Sequence, residues 1–216
     1  MNVYRNPNIG IFLRSNDHHV LIPQGISKNK TNIIKKYLDV SSLTISIGGS
    51  HLIGALTAMN NNAIIVSKLA EEYEIKRIEK QTGLNVIRLE SKFTAIGNLI
   101  AANDNGAIVS TLLTEKNVKQ ISESLQVPVK KMNISSSNLA GAIINATNKG
   151  AIVHPGITEK EITIVNEVLK VNVEPATVNS GTPYVSSGII SNSKNILVGN
   201  QTSGPELIIL SKAFGI

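Results

Sequence analysis

Cysteine and tryptophan are absent from the 216 residues, and only 3 Phe and 4 Tyr are present. Without a thiol there is no disulfide, no thiolate metal site and no cysteine nucleophile, a composition that fits an intracellular protein. A core drawn from the 42% hydrophobic residues must be aliphatic. So few aromatics also leave little on which single-stranded bases could stack. Long apolar runs are missing too: none approaches the ~18 residues of a membrane span, and Met1 to Pro7 lacks the basic-then-apolar order of a signal peptide. The expectation is a cytoplasmic protein. A chain of this length buries roughly 70% of its unfolded surface, so it folds without a metal or a disulfide. What is in excess is positive charge, 21 Lys and Arg against 15 Asp and Glu for a net +6, which favours a polyanionic neighbour such as RNA.

The chain repeats. Glycines stand at Gly10, Gly54, Gly97, Gly141 and Gly188, in steps of 44, 43, 44 and 47. In the first four units an apolar triplet follows 10 to 12 residues later: Val20 to Ile22, Ile64 to Val66, Ala107 to Val109 and Ala151 to Val153. Turn residues such as Ser15-Asn16-Asp17 and Asn60-Asn61-Asn62 lie between glycine and triplet, so each unit is predicted to open with a hairpin. At offset 17 come Ser27, Glu71, Thr114 and Thr158 as helix starts, with Thr158 and Glu161 forming a capping box. Offsets 21, 24 and 28 then carry an apolar stripe, for example Val118, Ile121 and Leu125. Pairs such as Val171 and Val173 follow at offsets 30 and 32, where alternation predicts a third strand. Unit five fits once its hairpin is shortened by two residues, giving Ile196 to Val198, the cap Ser203 and the stripe Leu207, Leu210 and Phe214.

Unit five ends without a third strand, which would leave an open sheet edge. Asn2 to Tyr4 precedes Gly10 as the third strands precede the next glycines, so a strand at 2–4 is expected to complete that unit. The predicted architecture is α/β, a closed ring of five strand-strand-helix-strand units in one domain spanning 1–216. No Pro/Gly/Ser-rich stretch marks a boundary, and Val178 to Gly188 reads as a loop within the ring.

Such a ring resembles the pentein fold, a closed five-bladed α-β propeller. The segments Ala95-Ile96-Gly97-Asn98 to Asn103-Asp104, Leu125-Gln126-Val127-Pro128-Val129, Gly150 to Pro155 and Ala176-Thr177-Val178-Asn179 with Gly181 resemble the translation initiation factor 6 family, in its archaeal form. The resemblance spans the whole chain. It implies a monomer without cofactor that binds the large (50S) ribosomal subunit near the sarcin-ricin loop and adjacent proteins, and keeps the small (30S) subunit off that face. It leaves a part in large-subunit biogenesis open.

Other proteins of this fold modify guanidino groups through a cysteine, which this chain lacks. His18, His19, His51 and His154 are scattered over turn, junction and strand-end positions, and no triad is assignable. Gly48-Gly49-Ser50 has neither the lysine nor the spacing of a P-loop, so no nucleotide cofactor and no metal are expected. A cysteine-free enzyme acting on a guanidino compound and a general RNA-binding module stay as alternatives.

Two kinds of surface offer binding. Lys28, Lys30, Lys35 and Lys36 on the first helix and Lys130 and Lys131 after the third present charge for ribosomal RNA phosphates, or for solvent alone. The stretch 171–216 carries only four charges and is rich in neutral polar groups, among them Thr177, Asn179 and Tyr184, which suit a protein contact. Asn98 enters a slot that is Ile11, Ala55, Ala142 or Ile189 in other units, and so either tethers a loop or meets a partner. Asn103 and Asp104 fall at the adjoining hairpin tip, where turn formation alone also accounts for them.

Overall fold

The computed structural model describes every residue, Met1–Ile216. Unit one comprises α1 (Ile9–Phe12), β1 (Arg14–Ser15), β2 (His19–Pro23), α2 (Lys28–Leu38) and β3 (Ser41–Ile45). Unit two repeats it as α3 (Ile53–Leu56), β4 (Thr57–Met59), β5 (Ala63–Ser67), α4 (Glu72–Thr82) and β6 (Asn85–Leu89). Unit three opens on a 3-10 turn, Ile96–Asn98, followed by β7 (Ile100–Ala102), β8 (Ala107–Val109), α5 (Glu115–Leu125) and β9 (Val129–Lys131). Unit four has α6 (Ala140–Ile143), β10 (Ile144–Ala146), β11 (Gly150–Val153), α7 (Glu159–Leu169) and β12 (Asn172–Pro175). A second 3-10 turn, Val185–Ser187, then β13 (Ile189–Ser191), β14 (Ile196–Val198) and α8 (Gly204–Phe214) make unit five.

In each of the four three-stranded sheets the second strand is central, antiparallel to the first and parallel to the third. The long helix is the crossover that a parallel pair requires. All five helices start at the predicted positions: Ser27, Glu71, Thr114, Thr158 and Ser203 are their N-caps. Four of the five stripes bury their last two members, as Ile34 with Leu38 and Leu210 with Phe214 do, whereas in unit two Ile75 and Ile78 are buried and Thr82 is half-buried. Leu207 departs from the stripe and is 42% exposed.

No single core exists. Five apolar clusters fill the cells between consecutive units: one joins Leu21 and Leu43 to Ile64 and Ile78, and another joins Val20 and Ile34 to Ile190. A unit cannot cover its own apolar face, so stability comes from stacking neighbours. Truncating a fully buried member such as Ile78 to Ala should cost about 3 kcal/mol.

Two expectations are corrected. The unit residue of the fifth blade is Ser186, not Gly188. Gly10, Gly54, Gly97 and Gly141 each occupy the second position of a one-turn helical segment, and Ser186 holds that place in Val185–Ser187. Counted from Ser186 the last step is 45, and the unit-five hairpin needs no shortening. The glycines are demanded by close approach, because a Cβ at Gly97 would lie 2.1 Å from the Gly54 carbonyl oxygen. Ser186 instead turns its hydroxyl onto the Ile144 carbonyl at 2.6 Å. Second, residues 2–4 form no strand, because Val3 turns back to bridge Asn6. The fifth sheet has two strands, β13 and β14, extended only by Met1, whose ammonium donates to Val198 O at 2.7 Å while its carbonyl accepts from Asn200 N at 2.7 Å.

Candidate functional site

The ring has two axial ends of opposite character. At one end the hairpin tips meet. Asn16, Asn60, Asn103 and Asn192 each cap their own turn through Oδ1 and donate through Nδ2 to a neighbouring unit; Asn103, for example, reaches Thr147 O and Leu169 O at 3.0 and 2.8 Å. The next residues close a circle: Asp17 N donates to Asn61, Asn61 N to Asp104, Asp104 N to Asn148, Asn148 N to Ser193 and Ser193 N to Asp17. Asn61 and Asn148 also donate their amides to both carboxylates. Burial raises the Asp17 pKa, but hydrogen bonds from Ser193, Asn61 and Asn148 outweigh it and hold the carboxyl below its ordinary value. The polar groups at this end are engaged with one another.

The other end is a mouth framed by the one-turn helices. Arg14 lies below it, beside a cavity of about 40 Å³ that also touches Asn145 and Ser191. Its guanidinium donates to the carbonyls of Gly54 at 2.5 Å and Gly97 at 3.4 Å, while Nε is buried without a partner. Burial lowers its pKa to about 10. Arg14 also lines the shallow depression at the mouth together with Asn98, Ala142 and Ser187. Asn98 is half-buried there and its side-chain amide makes no hydrogen bond within the protein.

A third feature recurs around the rim. Where one unit passes to the next, a left-handed turn sits beside the start of the following long helix, and the helix's third residue, N3, reaches into it. Glu74 accepts from Gly48 N at 2.6 Å, Gly49 N at 3.3 Å and the Ser46 hydroxyl at 2.7 Å. Glu206 accepts from Ser180 N, Gly181 N, Ser203 N and the Thr177 hydroxyl, all within 2.7–3.0 Å. Burial alone raises Glu206, yet these donors bring its pKa down to about 2. Glu161 accepts from Ser135 N in the same way.

Against this geometry the residues singled out in the sequence separate. Asn103 and Asp104 belong to the closed tip circle. The Thr177 hydroxyl is held by Glu206, and Asn179 is buried with its amide on Pro7 O and Asn8 Oδ1 at 3.2 Å. Tyr184 is 49% exposed beside the mouth helix Val185–Ser187, and its hydroxyl makes no bond within the protein. Lys28, Lys35, Lys36 and Lys130 are exposed and unpaired, Lys131 pairs with Glu115 at 2.8 Å, and Lys30 donates to Asn2. Arg14, Glu74 and Glu206 were not singled out, and Glu161 was read only as half of a capping box. The repeat held a signal for the carboxylates, since Glu74, Glu161 and Glu206 share an offset of 20 from their unit residues.

Residues 1–213 match the eIF-6 family. The translation initiation factor 6 of Nitrosopumilus maritimus (strain SCM1) is 46% identical over 212 residues, which are 98% of this chain and 96% of that protein. That of Cenarchaeum symbiosum (strain A) is 44% identical over the same shares, and that of Pyrococcus horikoshii is 35% identical over 97% of this chain and 95% of the relative. Among solved structures, a dimethylarginine dimethylaminohydrolase superposes with a TM-score of 0.51 over 84% of each chain at 11% identity, a likeness of fold alone. The ring is that pentein fold.

Proposed function

The chain belongs to the eIF-6 family and works in translation initiation, and from that membership we propose that it binds the large ribosomal subunit and sterically prevents the small subunit from joining. The docking end is the mouth. The observation that carries this choice is the contrast between the two ends: the tip circle is closed on itself, whereas Asn98 and Tyr184 at the mouth hold polar groups without internal partners. Solvent-facing polar groups that no internal partner occupies keep their hydrogen-bonding capacity for an incoming surface. Thr177 and Asn179 shape the loop behind that surface, and Asn103 and Asp104 hold the ring from the opposite end. Exposed Lys28, Lys35, Lys36 and Lys130 add contacts to rRNA phosphates, with the sarcin-ricin loop and its neighbouring proteins as the local environment.

The mechanism needs no catalysis. A specific interface of about 1,600 Å² suffices to occlude a shared surface, and a rigid ring loses little conformational entropy on docking. The reading includes a monomeric, cytoplasmic protein folded as one domain, with the N-terminal residue closing the fifth unit; the Met1 bonds to Val198 and Asn200 support that closure. No helix is long and apolar enough to cross a membrane.

Sedimentation of purified subunits with added protein tests the proposal. Joining should fall in proportion to large-subunit occupancy, and Asn98→Ala and Tyr184→Ala should each weaken occupancy by about tenfold at unchanged thermal stability. Undiminished joining at full occupancy would overturn the steric mechanism.

A further inference from the structure

The unit-one turn departs from its sister turns in one respect. Val3 bridges Asn6 as Ile47 bridges Ser50, and Tyr4 and Arg5 hold φ of 50° and 63°, as Gly48 and Gly49 hold 59° and 72°. The equivalent of Glu74 and Glu206 is Lys30, at N3 of α2. No carboxylate therefore reaches this turn. The Lys30 ammonium swings aside to Asn2, donating to O at 2.8 Å and Oδ1 at 3.1 Å. The amides of Tyr4 and Arg5, whose counterparts bond Glu74, have no partner within the protein, and neither does Ser27 N, the counterpart of the Glu71 amide that Glu74 also binds.

These amides face an open cleft of about 250 Å³ lined by Asn2, Tyr4, Arg5, Gly25, Ser27 and Lys30. Arg5 in its lining is exposed and carries no ion pair, and α2 has no acidic residue in its first turn. Tyr4 is fixed over the cleft by stacking on His51 at 5.5 Å, an edge contact with Phe12 at 5.3 Å and a hydrogen bond to Gln24 O. Three sister units thus place an internal oxyanion where this unit places a cation and leaves the amides open. Successive amides in a left-handed turn are an anion-binding concavity, and reversal of the internal charge converts an intramolecular site into one for an external ligand.

We propose that the cleft between the Tyr4–Arg5 turn and the start of α2 is a binding site for an oxyanion, and that its ligand is a backbone phosphate of RNA. The two lining cations, Arg5 and Lys30, with no acid among the lining residues, favour a polyanion over a single side-chain carboxylate. This assignment rests on ribosome docking for its RNA, whereas the socket itself stands independently.

The test uses the full chain labelled with ¹⁵N and titrated with inorganic phosphate, then with a short single-stranded RNA, with acetate and a glutamate-rich peptide as carboxylate controls. The amide signals of Tyr4, Arg5 and Ser27 should move together and saturate, and RNA should act at about tenfold lower concentration than phosphate. Lys30→Glu supplies the carboxylate of the sister units; it should abolish the response while raising the melting temperature. Lys30→Gln should keep a weakened response. Silent amides in the wild type, or an equal response in Lys30→Glu, would overturn the socket, and tighter binding of the acidic peptide than of RNA would overturn the RNA assignment. In large-subunit binding, Lys30→Glu should lower the salt slope by about one. An unchanged slope with intact binding would refute the RNA contact alone, while absence of any subunit binding would refute the docking reading and leave the titration to decide the socket.

Discussion

Glycine at the unit position is set by backbone contact, and the sign of a substitution there discriminates between two effects. Alanine is the better helix former by about 1 kcal/mol, and Gly97 sits in a helical turn. A Cβ at Gly97, however, would meet the carbonyl oxygens of Gly54 at 2.1 Å and Thr57 at 2.5 Å, neither of which belongs to a flexible side chain. Gly97→Ala should therefore lose about 3 kcal/mol in urea unfolding; a gain would show that the rings of carbonyls are free to spread. Glu206 makes a second case. Its folded pKa of about 2 lies below the ordinary carboxyl value of 4.5, so its contribution is complete above about pH 4.5 and is lost as pH falls toward 2. Glu206→Gln should cost about 2 kcal/mol at neutral pH, and its stability should fall less steeply than that of the wild type between those pH values when both are melted across that range. The capping half of this residue was legible, because Ser203 and Glu206 stand three apart before an apolar run. Its hold on Ser180 and Gly181 was not, because nothing in local pattern announces a turn of positive φ built partly from serine.

Elements of sufficient length declared themselves. Eleven-residue helices with a cap and a stripe, and triplets of β-branched or small apolar residues after Asn-rich turns, carry their period on the page, and the strand Ile196–Val198 appears with the predicted bounds. The one-turn helices at Gly10, Gly54 and Gly141 span four residues, too few for a 3.6-residue period to show. The unit-five register slipped for a related reason: Ser186 fills the place of glycine with a hydroxyl that bonds Ile144, and the nearby Gly188 supplied a false marker. At this scale the hairpin tips also differ measurably. Asn103 caps its own turn and ties it to the tip of unit four and the last turn of α7, whereas the Thr147 hydroxyl, in the equivalent place, bonds only within its own turn. Asn103→Ala should then cost about 3 kcal/mol and Thr147→Ala about 1 kcal/mol in thermal unfolding. Equal losses would mean that turn formation, and not the link between units, dominates.

Closure was legible from the sequence as an unmet edge in unit five, though not the means of meeting it. The predicted strand is replaced by one terminal residue, so the seam between units five and one relies more on side chains than the other junctions do. Ser193 donates its amide at 2.7 Å and its hydroxyl at 2.9 Å to Asp17, Asn192 reaches Leu38 O at 2.8 Å, Ser15 bonds Ser191 O at 2.7 Å and Lys194 pairs with Asp39 at 2.7 Å. Asp17 and Asp104 occupy equivalent tips and both accept from Asn61 and Asn148, but only Asp17 accepts from Ser193. Removing either carboxylate loosens the tip circle; removing Asp17 also opens the seam. Local opening free energies follow such cooperative boundaries. Asp17→Ala should raise hydrogen exchange by about tenfold at β13, β14 and β1, while Asp104→Ala should leave those amides at wild-type rates and affect units two to four. Because the Asp17 carboxyl is held below its ordinary value of 3.8, the latch is intact above about pH 4 and should release as pH falls through its folded pKa. Exchange at the seam in the wild type should then approach that of Asp17→Ala at low pH. Uniform acceleration around all five units in either variant would show instead that the ring opens as a whole and has no seam.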